Sequence, residues 1–347
     1  MSGCILTPMS CGECHRENSQ IRCNRCKVMF YCSEEHRVSH RRQHETFCDI
    51  VARHRADVKA AEAELRALVA SGEDPFVDQD FPIPRNGQGE GLQGAVMDVR
   101  SARLDLLRAL VFIRSLEART ETLAHSLGLI RGPKWTRGEI RCTAAVMLDL
   151  GMDQECWDLL QWWGKANGQP DVDQLSIVSP SLPILKFPRG VSVMEPIAGD
   201  SHWMIFDCVA PYLLLLKVQA LLDLTRLSLC TPAFADKVPR EIFDGIRGYI
   251  PVSPGVINHP DLRGKLTYTN EIKQLTRQIE TLWDEVGVGP MGEISDVLYK
   301  DEDWHMHRWN DGGQPLSPCL NCLFRRDPEA VAYIRSFIYR DVVKKPW

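Results

Sequence analysis

Residues 11–48 read CGECHRENSQIRCNRCKVMFYCSEEHRVSHRRQHETFC, and this stretch decides the fold of the N-terminal part of the 347-residue chain. It contains six of the thirteen cysteines, and two histidines lie at short fixed distances from them. The close pairs are Cys11-x2-Cys14, Cys23-x2-Cys26, Cys32-x3-His36 and His44-x3-Cys48. Zinc prefers four sulfur or nitrogen ligands in a tetrahedron, and each pair offers two of them from a single turn. Eight such ligands predict two zinc sites.

The distance between the first two pairs predicts how the sites are built. Only eight residues separate Cys14 from Cys23, too few to wrap an independent finger between successive pairs. We therefore expect interleaved sites, in which the first and third pairs hold one zinc ion and the second and fourth pairs hold the other. The segment has few large apolar residues, so zinc must supply most of its folding free energy, on the order of 10 kcal/mol per ion.

This spacing resembles that of the MYND zinc finger, which binds two zinc ions in the interleaved manner. The resemblance covers residues 11–48 and implies a first site of Cys11, Cys14, Cys32 and His36 and a second site of Cys23, Cys26, His44 and Cys48. His36 stands where many members of the family have cysteine, and neutral imidazole is an equally good zinc ligand. His40 competes as a ligand because it continues the four-residue spacing of His36 and His44, although the family pattern omits it.

The resemblance also implies a function, because MYND fingers bind short, often proline-containing peptide segments of other proteins. A sheet edge around residues 27–31 would accept an extended peptide as an added strand. Members of the family commonly carry glutamine directly after the ligand at position 36 and tryptophan four residues later, where this chain has Arg37 and Arg41. We expect these arginines to pair with carboxylates or to stack on flat groups of the peptide. The alternative is that both lie on a solvated helix face.

The chain after the finger predicts three further parts. Residues 49–70 form a connecting helix rich in alanine and glutamate. Residues 71–94 form a flexible linker, because prolines and glycines recur there without apolar periodicity. Residues 95–347 form a mainly α-helical domain, in which short β-type pieces occur at 176–178 and 191–193. Helices are predicted at 95–117, from there onward through Leu129, and at 137–150, 154–163, 202–229, 270–286 and 327–343.

The helices at 137–150 and 154–163 form the clearest predicted hairpin. Gly151 ends the first helix and Asp153 caps the second. The pair looks like a tetratricopeptide-type repeat, and the segment from Ala145 to Trp163 is similar to one in fungal MYND-finger proteins that carry a helical domain after the finger. The predicted fold is a small two-zinc interleaved finger followed by a mainly α-helical, tetratricopeptide-like domain.

Charge and hydropathy argue against nucleic acid and membrane as partners. The net charge of the chain is −5. Residues 1–55 carry nine Lys and Arg and six Asp and Glu, and their formal +3 falls to about +1 once six thiolates and two zinc ions are included. The longest uninterrupted apolar run, 209–216, is eight residues long, too short to cross a bilayer. The N-terminus lacks a secretory signal pattern, so we expect an intracellular protein of the cytoplasm or nucleus.

Two enzyme classes that carry MYND fingers are alternatives to a binding protein. An iron and 2-oxoglutarate dioxygenase would use His259 and Asp261 with His305 or His307, yet the predicted helix at 270–286 is incompatible with the β-sandwich between them. A SET-type methyltransferase needs half of its catalytic domain before the finger, and only ten residues precede Cys11. A third metal could bind at His305, His307, Cys319 and Cys322. We expect a non-catalytic adaptor or scaffold with a protein or peptide partner.

Overall fold

The computed structural model describes residues 8–70, 90–131, 137–168, 192–196, 209–234, 237–251, 253–257, 259, 262, 265–286 and 327–344. They fall into two compact units, which divide between Val146 and Met147. The N-terminal unit comprises the described residues up to 146, and the C-terminal unit comprises the described residues from 147 onward.

The N-terminal unit begins with a two-stranded antiparallel sheet and continues as helices. Strands β1 and β2 pair with Ile21 opposite Tyr31 and Arg22 opposite Phe30. The strands are β1 (Ile21–Arg22) and β2 (Phe30–Tyr31), and the helices are α1 (Glu34–Ser39), α2 (Arg41–Ala70), α3 (Glu90–Val111), α4 (Leu116–Arg131) and α5 (Arg137–Asp149), of which the residues up to 146 belong to this unit. Within this unit α2 packs against α3, and α3 packs against α4.

Helix α2 joins the finger to the helices without a break. It begins at Arg41, inside the finger, and runs uninterrupted through the predicted connecting helix to Ala70. Its buried side chains recur every three, four or seven positions and so form one face of the helix. These side chains are His44, Cys48, Val51, Val58 and Leu65.

The finger and α3 share one hydrophobic core. A single cluster of buried side chains contains Cys26 and Val28 of the finger together with Leu106 and Leu110 of α3. This differs from the predicted division at 71–94, because α3 already begins at Glu90 and its apolar face packs on the finger. Prolines and glycines mark where a helix cannot continue, whereas the extent of a core depends on which faces meet in space.

The two helices that the sequence predicts, at 95–117 and from there through Leu129, meet at a serine. Helix α3 ends at Val111 and α4 begins at Leu116. Between them, the hydroxyl of Ser115 accepts a hydrogen bond from the N–H of Ala118 at 3.1 Å, which makes Ser115 the N-cap of α4. The apolar periodicity continues past Val111 to Ile113, so the sequence places the end of the first helix six residues too late, at 117.

Among the described residues of the C-terminal unit, all regular secondary structure is helical. Its helices are α6 (Asp153–Gly168), α7 (Ala210–Phe234), α8 (Arg240–Tyr249), α9 (Pro254–Ile257), α10 (Thr269–Val286) and α11 (Pro328–Lys344). Helix α7 is central, because it packs against α6, α8, α9, α10 and α11. The prediction of a mostly helical region after the finger is confirmed.

Several predictions concern residues outside this description. The strand at 176–178, the possible dioxygenase residue Asp261 and the third-metal candidates His305, His307, Cys319 and Cys322 lie outside the described residues. Residues 192–195 form a turn, in which the N–H of Glu195 donates to the carbonyl of Ser192 at 2.9 Å. Among the helices described, none combines the length and the apolar character that crossing a membrane requires.

Candidate metal centre

The first predicted zinc site is assembled as the sequence indicates. The ligand atoms of Cys11, Cys14, Cys32 and His36 all lie within 4.8 Å of one another. Nδ1 of His36 lies 3.1 Å from Sγ of Cys32 and 3.7 Å from Sγ of Cys11. The Sγ atoms of Cys14 and Cys32 are 3.6 Å apart. Cys14 is exposed, so this cluster opens to solvent on one side.

The second site is assembled from the other four residues and is more buried. The ligand atoms of Cys23, Cys26, His44 and Cys48 also lie within 4.8 Å of one another. The Sγ atoms of Cys23 and Cys48 are 3.5 Å apart, and Sγ of Cys26 lies 3.3 Å from Nε2 of His44. Three of the four residues are buried and Cys23 is partly buried.

These distances fit tetrahedral zinc. With Zn–S bonds of about 2.3 Å, the sulfur atoms of a regular tetrahedron are separated by about 3.8 Å. The observed separations of 3.5 and 3.6 Å between sulfurs are close to that value. Both clusters contain three thiols and one imidazole, a donor set that binds zinc in preference to harder cations. The two Cys3His clusters therefore fit two zinc ions.

Both Cys-x2-Cys pairs form the same tight turn. The residue after the second cysteine, His15 or Lys27, has a positive φ of 59° or 60°. Its N–H donates to the carbonyl of the first cysteine, at 2.9 Å in the Cys11 turn and 3.1 Å in the Cys23 turn. This turn brings both thiols of a pair to the same side, and a non-glycine residue accepts some backbone strain to close it.

Cys32 directly follows β2, and the other three ligands come from two helices rather than from one. Sequence spacing places His36, His40, His44 and Cys48 on one helix face, but α1 ends at Ser39 and α2 begins at Arg41. The side chain of Ser33 caps α1 by accepting from the N–H of His36 at 3.3 Å. The break at His40 lets His36 reach the first site while His44 and Cys48 reach the second, as interleaving requires.

His40 lies outside both clusters and supports the second one. Its Nδ1 is 3.1 Å from the hydroxyl of Tyr31, and its ring stacks on that of His44 with centroids 5.8 Å apart and an interplanar angle of 14°. Gly12 makes room for this ring, because a Cβ at Gly12 would lie 3.0 Å from Nδ1 of His40 and 2.6 Å from Sδ of Met29. His40 is therefore a packing residue beside the metal ligands.

The thiols compete for protons in the absence of metal. A hydrogen bond between Cys23 and Cys26 lowers the pKa of Cys23 and raises that of Cys26. Burial raises the pKa of Cys48 to about 11, and partial burial raises the pKa of Cys32 to about 11. Three close thiolates repel one another unless a cation lies between them. A divalent ion offsets that repulsion, which is why metal and protons compete for these sulfurs.

The predicted peptide edge on β2 is already used within the finger. One side of β2 pairs with β1, and the other side forms a parallel bridge between Phe30 and Cys11. The carbonyl of Phe30 accepts from the N–H of Gly12 at 2.9 Å, and the carbonyl of Met29 accepts from the N–H of Cys23 at 2.9 Å. Residues 27–31 therefore do not offer a free edge along β2, contrary to the sequence prediction.

Arg37 and Arg41 lie at the surface of the finger and make local ion pairs. Arg37 lies 2.6 Å from the carboxylate of Glu34, and Arg41 lies 3.4 Å from that of Glu45. The side chains of the two arginines are 44% and 71% exposed. Both guanidinium groups are thus accessible, and the solvated-face alternative accounts for their geometry as well as a binding role does.

Comparison with known proteins agrees with this geometry. Residues 11–48 match the family model of the MYND finger. No curated protein matches the chain, and no solved structure matches it. The similarity of the segment from Ala145 to Trp163 to fungal proteins therefore stays a prediction. The family match covers the same residues that hold both Cys3His clusters, so residues 11–48 are a MYND zinc finger with two zinc sites.

Proposed function

We propose that this protein is a non-catalytic adaptor or scaffold whose finger binds a peptide segment of a partner protein. The observation that carries the proposal is the MYND match over residues 11–48 together with two complete ligand clusters, because MYND fingers are generally protein-interaction modules. The partner is proposed to be a protein or peptide, and not nucleic acid or a membrane.

The surface around Arg37 and Arg41 is the proposed contact surface. Val38 lies beside them in the sequence, and 67% of its surface is exposed, so an apolar side chain is accessible next to both arginines. The ion pairs of both arginines are exposed, and exposed pairs contribute at most about 1 kcal/mol. A carboxylate of the partner can therefore replace Glu34 or Glu45 at little cost. An acidic segment with an apolar residue suits this surface.

The occupied strand β2 supports recognition by side chains rather than by strand addition. A peptide that paired with residues 28–30 would have to displace the hydrogen bonds that join Gly12 to Phe30 and Cys23 to Met29. We propose instead that the peptide lies across the exposed side of α1 and the first turn of α2. Its affinity should then weaken as salt concentration rises, because the contacts are between charged groups at the surface.

The experiment compares full-length variants on an array of proline-containing peptides with acidic or basic flanks. The pair Arg37→Glu with Arg41→Glu should lower the affinity for acidic peptides by about 1–3 kcal/mol without loss of zinc. The matched control is Arg53→Glu with Lys59→Glu, which reverses two exposed charges farther along α2. The control should bind acidic peptides as the unmodified chain does. If Arg37→Glu with Arg41→Glu binds them equally well, the two arginines are ordinary solvated residues.

The non-catalytic part of the proposal has its own test. Neither iron with 2-oxoglutarate nor S-adenosylmethionine should raise the melting temperature of the chain, because a ligand stabilises only a protein that binds it. A rise of several degrees with either mixture would favour the corresponding enzyme class. The tetratricopeptide-like pairing of helices and the location in the cytoplasm or nucleus stay predictions.

A further inference from the structure

We propose that the zinc ion of the second site keeps helices α2, α3 and α4 folded, and that Arg55 is the positioning residue that links this site to α4. This inference concerns the stability of the N-terminal unit and does not depend on which partner the finger binds. It rests on four contacts between the second site and the helices.

The first connection is α2 itself, because this helix contains two ligands of the second site. Two of the four ligands of the second site, His44 and Cys48, lie in the first turns of α2, whereas the first site takes no ligand from this helix. Val51 and Arg55 follow on the same face at three and four residues. A metal ion that fixes His44 and Cys48 therefore also fixes the direction in which α2 leaves the finger.

The second contact is the side chain of Arg55, which bonds both to the second site and to α4. Its Nη1 donates to the carbonyl of Cys26, a ligand of the second site, at 2.6 Å. Its Nε and Nη2 donate to the carboxylate of Glu121 on α4, at 3.0 Å and 2.8 Å. The arginine and the glutamate are 19% and 26% exposed, so solvent screens this bidentate pair only partly.

The third contact is the loop between α3 and α4. The hydroxyl of Ser115 donates to the carbonyl of Val28, two residues after Cys26, while it accepts from the N–H of Ala118. Ser115 and Val28 are each 1% exposed, so water does not replace this bond. The N-terminal cap of α4 is thus bonded to the finger just after the turn that holds Cys23 and Cys26.

The fourth contact is the shared hydrophobic core. Cys26 and Cys48, both ligands of the second site, are 0% and 3% exposed and belong to the cluster that contains Leu106 and Leu110 of α3, whereas the first site contributes only Cys11 to its buried members. If the metal leaves, the bonds that hold the sulfurs of this cluster together are lost. That change occurs within the core of the helices and not at the edge of the finger. Zinc affinity and helix stability are therefore linked.

Amide hydrogen exchange on the full chain tests the proposal directly. Zinc is removed with a strong chelator under reducing conditions, and exchange is followed by mass spectrometry of peptides from each helix. Protection in α3 and α4 should fall at least a hundredfold, while protection in α7 and α10 of the C-terminal unit should not change. If α3 and α4 keep their protection after both zinc ions are gone, or if α7 and α10 lose theirs as well, the proposal is wrong.

Two ligand variants separate the two sites. Cys14→Ser removes an exposed ligand of the first site, and Cys48→Ser removes a ligand of the second. Each is expected to lose one zinc ion, but only Cys48→Ser should lose protection in α3 and α4. Equal loss of protection in the two variants would overturn the assignment to the second site.

Arg55→Met keeps every zinc ligand and tests the link itself, even if Cys48→Ser fails to fold. Arg103→Met is the matched control, because Arg103 pairs with Glu62 at 2.7 Å and so joins α3 to α2. In the Cys14→Ser background, zinc release to a chelator should be at least tenfold faster with Arg55→Met than with Arg103→Met. Equal release rates in the two variants would exclude Arg55 as a positioning residue.

Discussion

Ser115 offers a sensitive test of how the finger is attached to the helices. Replacing Ser115 by alanine removes the N-cap of α4, which costs about 1 kcal/mol. It also leaves the buried carbonyl of Val28 without its donor, which costs about 1–3 kcal/mol more. We therefore expect Ser115→Ala to destabilise the N-terminal unit by about 2–4 kcal/mol in the zinc-loaded protein.

The assay must report on the N-terminal unit alone, because eight of the nine tryptophans follow residue 146 and fluorescence would follow the C-terminal unit. Amide exchange in α3 and α4 meets this requirement, and the expected destabilisation corresponds to exchange that is about 30-fold to 900-fold faster. Thr120→Ala is the control on the same helix. Its hydroxyl donates to the carbonyl of Leu116 at 2.9 Å at an exposed position, so little change is expected.

A further variant separates the two contributions. Ser115→Gly keeps most of the capping preference and lacks the donor to Val28, so it should lose about 1–3 kcal/mol. If Ser115→Ala and Thr120→Ala speed exchange equally, the contact between Ser115 and Val28 does not stabilise the unit, and the reasoning fails.

Three other predictions concern the finger. Lys27→Gly should stabilise it by about 0.5–1 kcal/mol in a chemical denaturation curve, because glycine adopts the positive φ of 60° without strain; a lower midpoint would contradict this. Gly12→Ala should destabilise it by about 1–3 kcal/mol and speed zinc release, because the new Cβ would lie 2.6 Å from Sδ of Met29; unchanged release would show that Met29 moves freely. A hydrogen bond with a neighbouring thiol raises the pKa of Cys26 and burial raises that of Cys48, so zinc must displace both protons near neutral pH. Affinity at the second site should therefore fall about a hundredfold per pH unit from pH 8 to pH 6, and competition with a chelator measures this slope.

The zinc ligands could be predicted from the sequence because the chemistry of the site is local. Each pair, such as Cys23 and Cys26, needs only one turn of chain, and such a spacing is visible as a pattern. Ring orientation is not visible in this way, and His36 presents Nδ1 where His44 presents Nε2. The break at His40 is not visible either, since four-residue spacing fits one helix as well as two helices in line.

The extent of the core could not be predicted because it depends on distant partners. Arg55 and Glu121 are 66 residues apart in sequence, and Ser115 and Val28 are 87 apart. Periodicity shows that a helix has an apolar face, but it does not show which other face covers it. The proline- and glycine-rich stretch before α3 thus predicted a boundary between cores, although the core of the finger continues into that helix.

The zinc content of the full chain tests the central claim most directly. The protein is purified under reducing conditions without chelators, and its mass is measured by native mass spectrometry with total zinc determined by elemental analysis. Two interleaved Cys3His sites predict two zinc ions per chain. A chain that binds one zinc ion, or none, under these conditions would contradict the account.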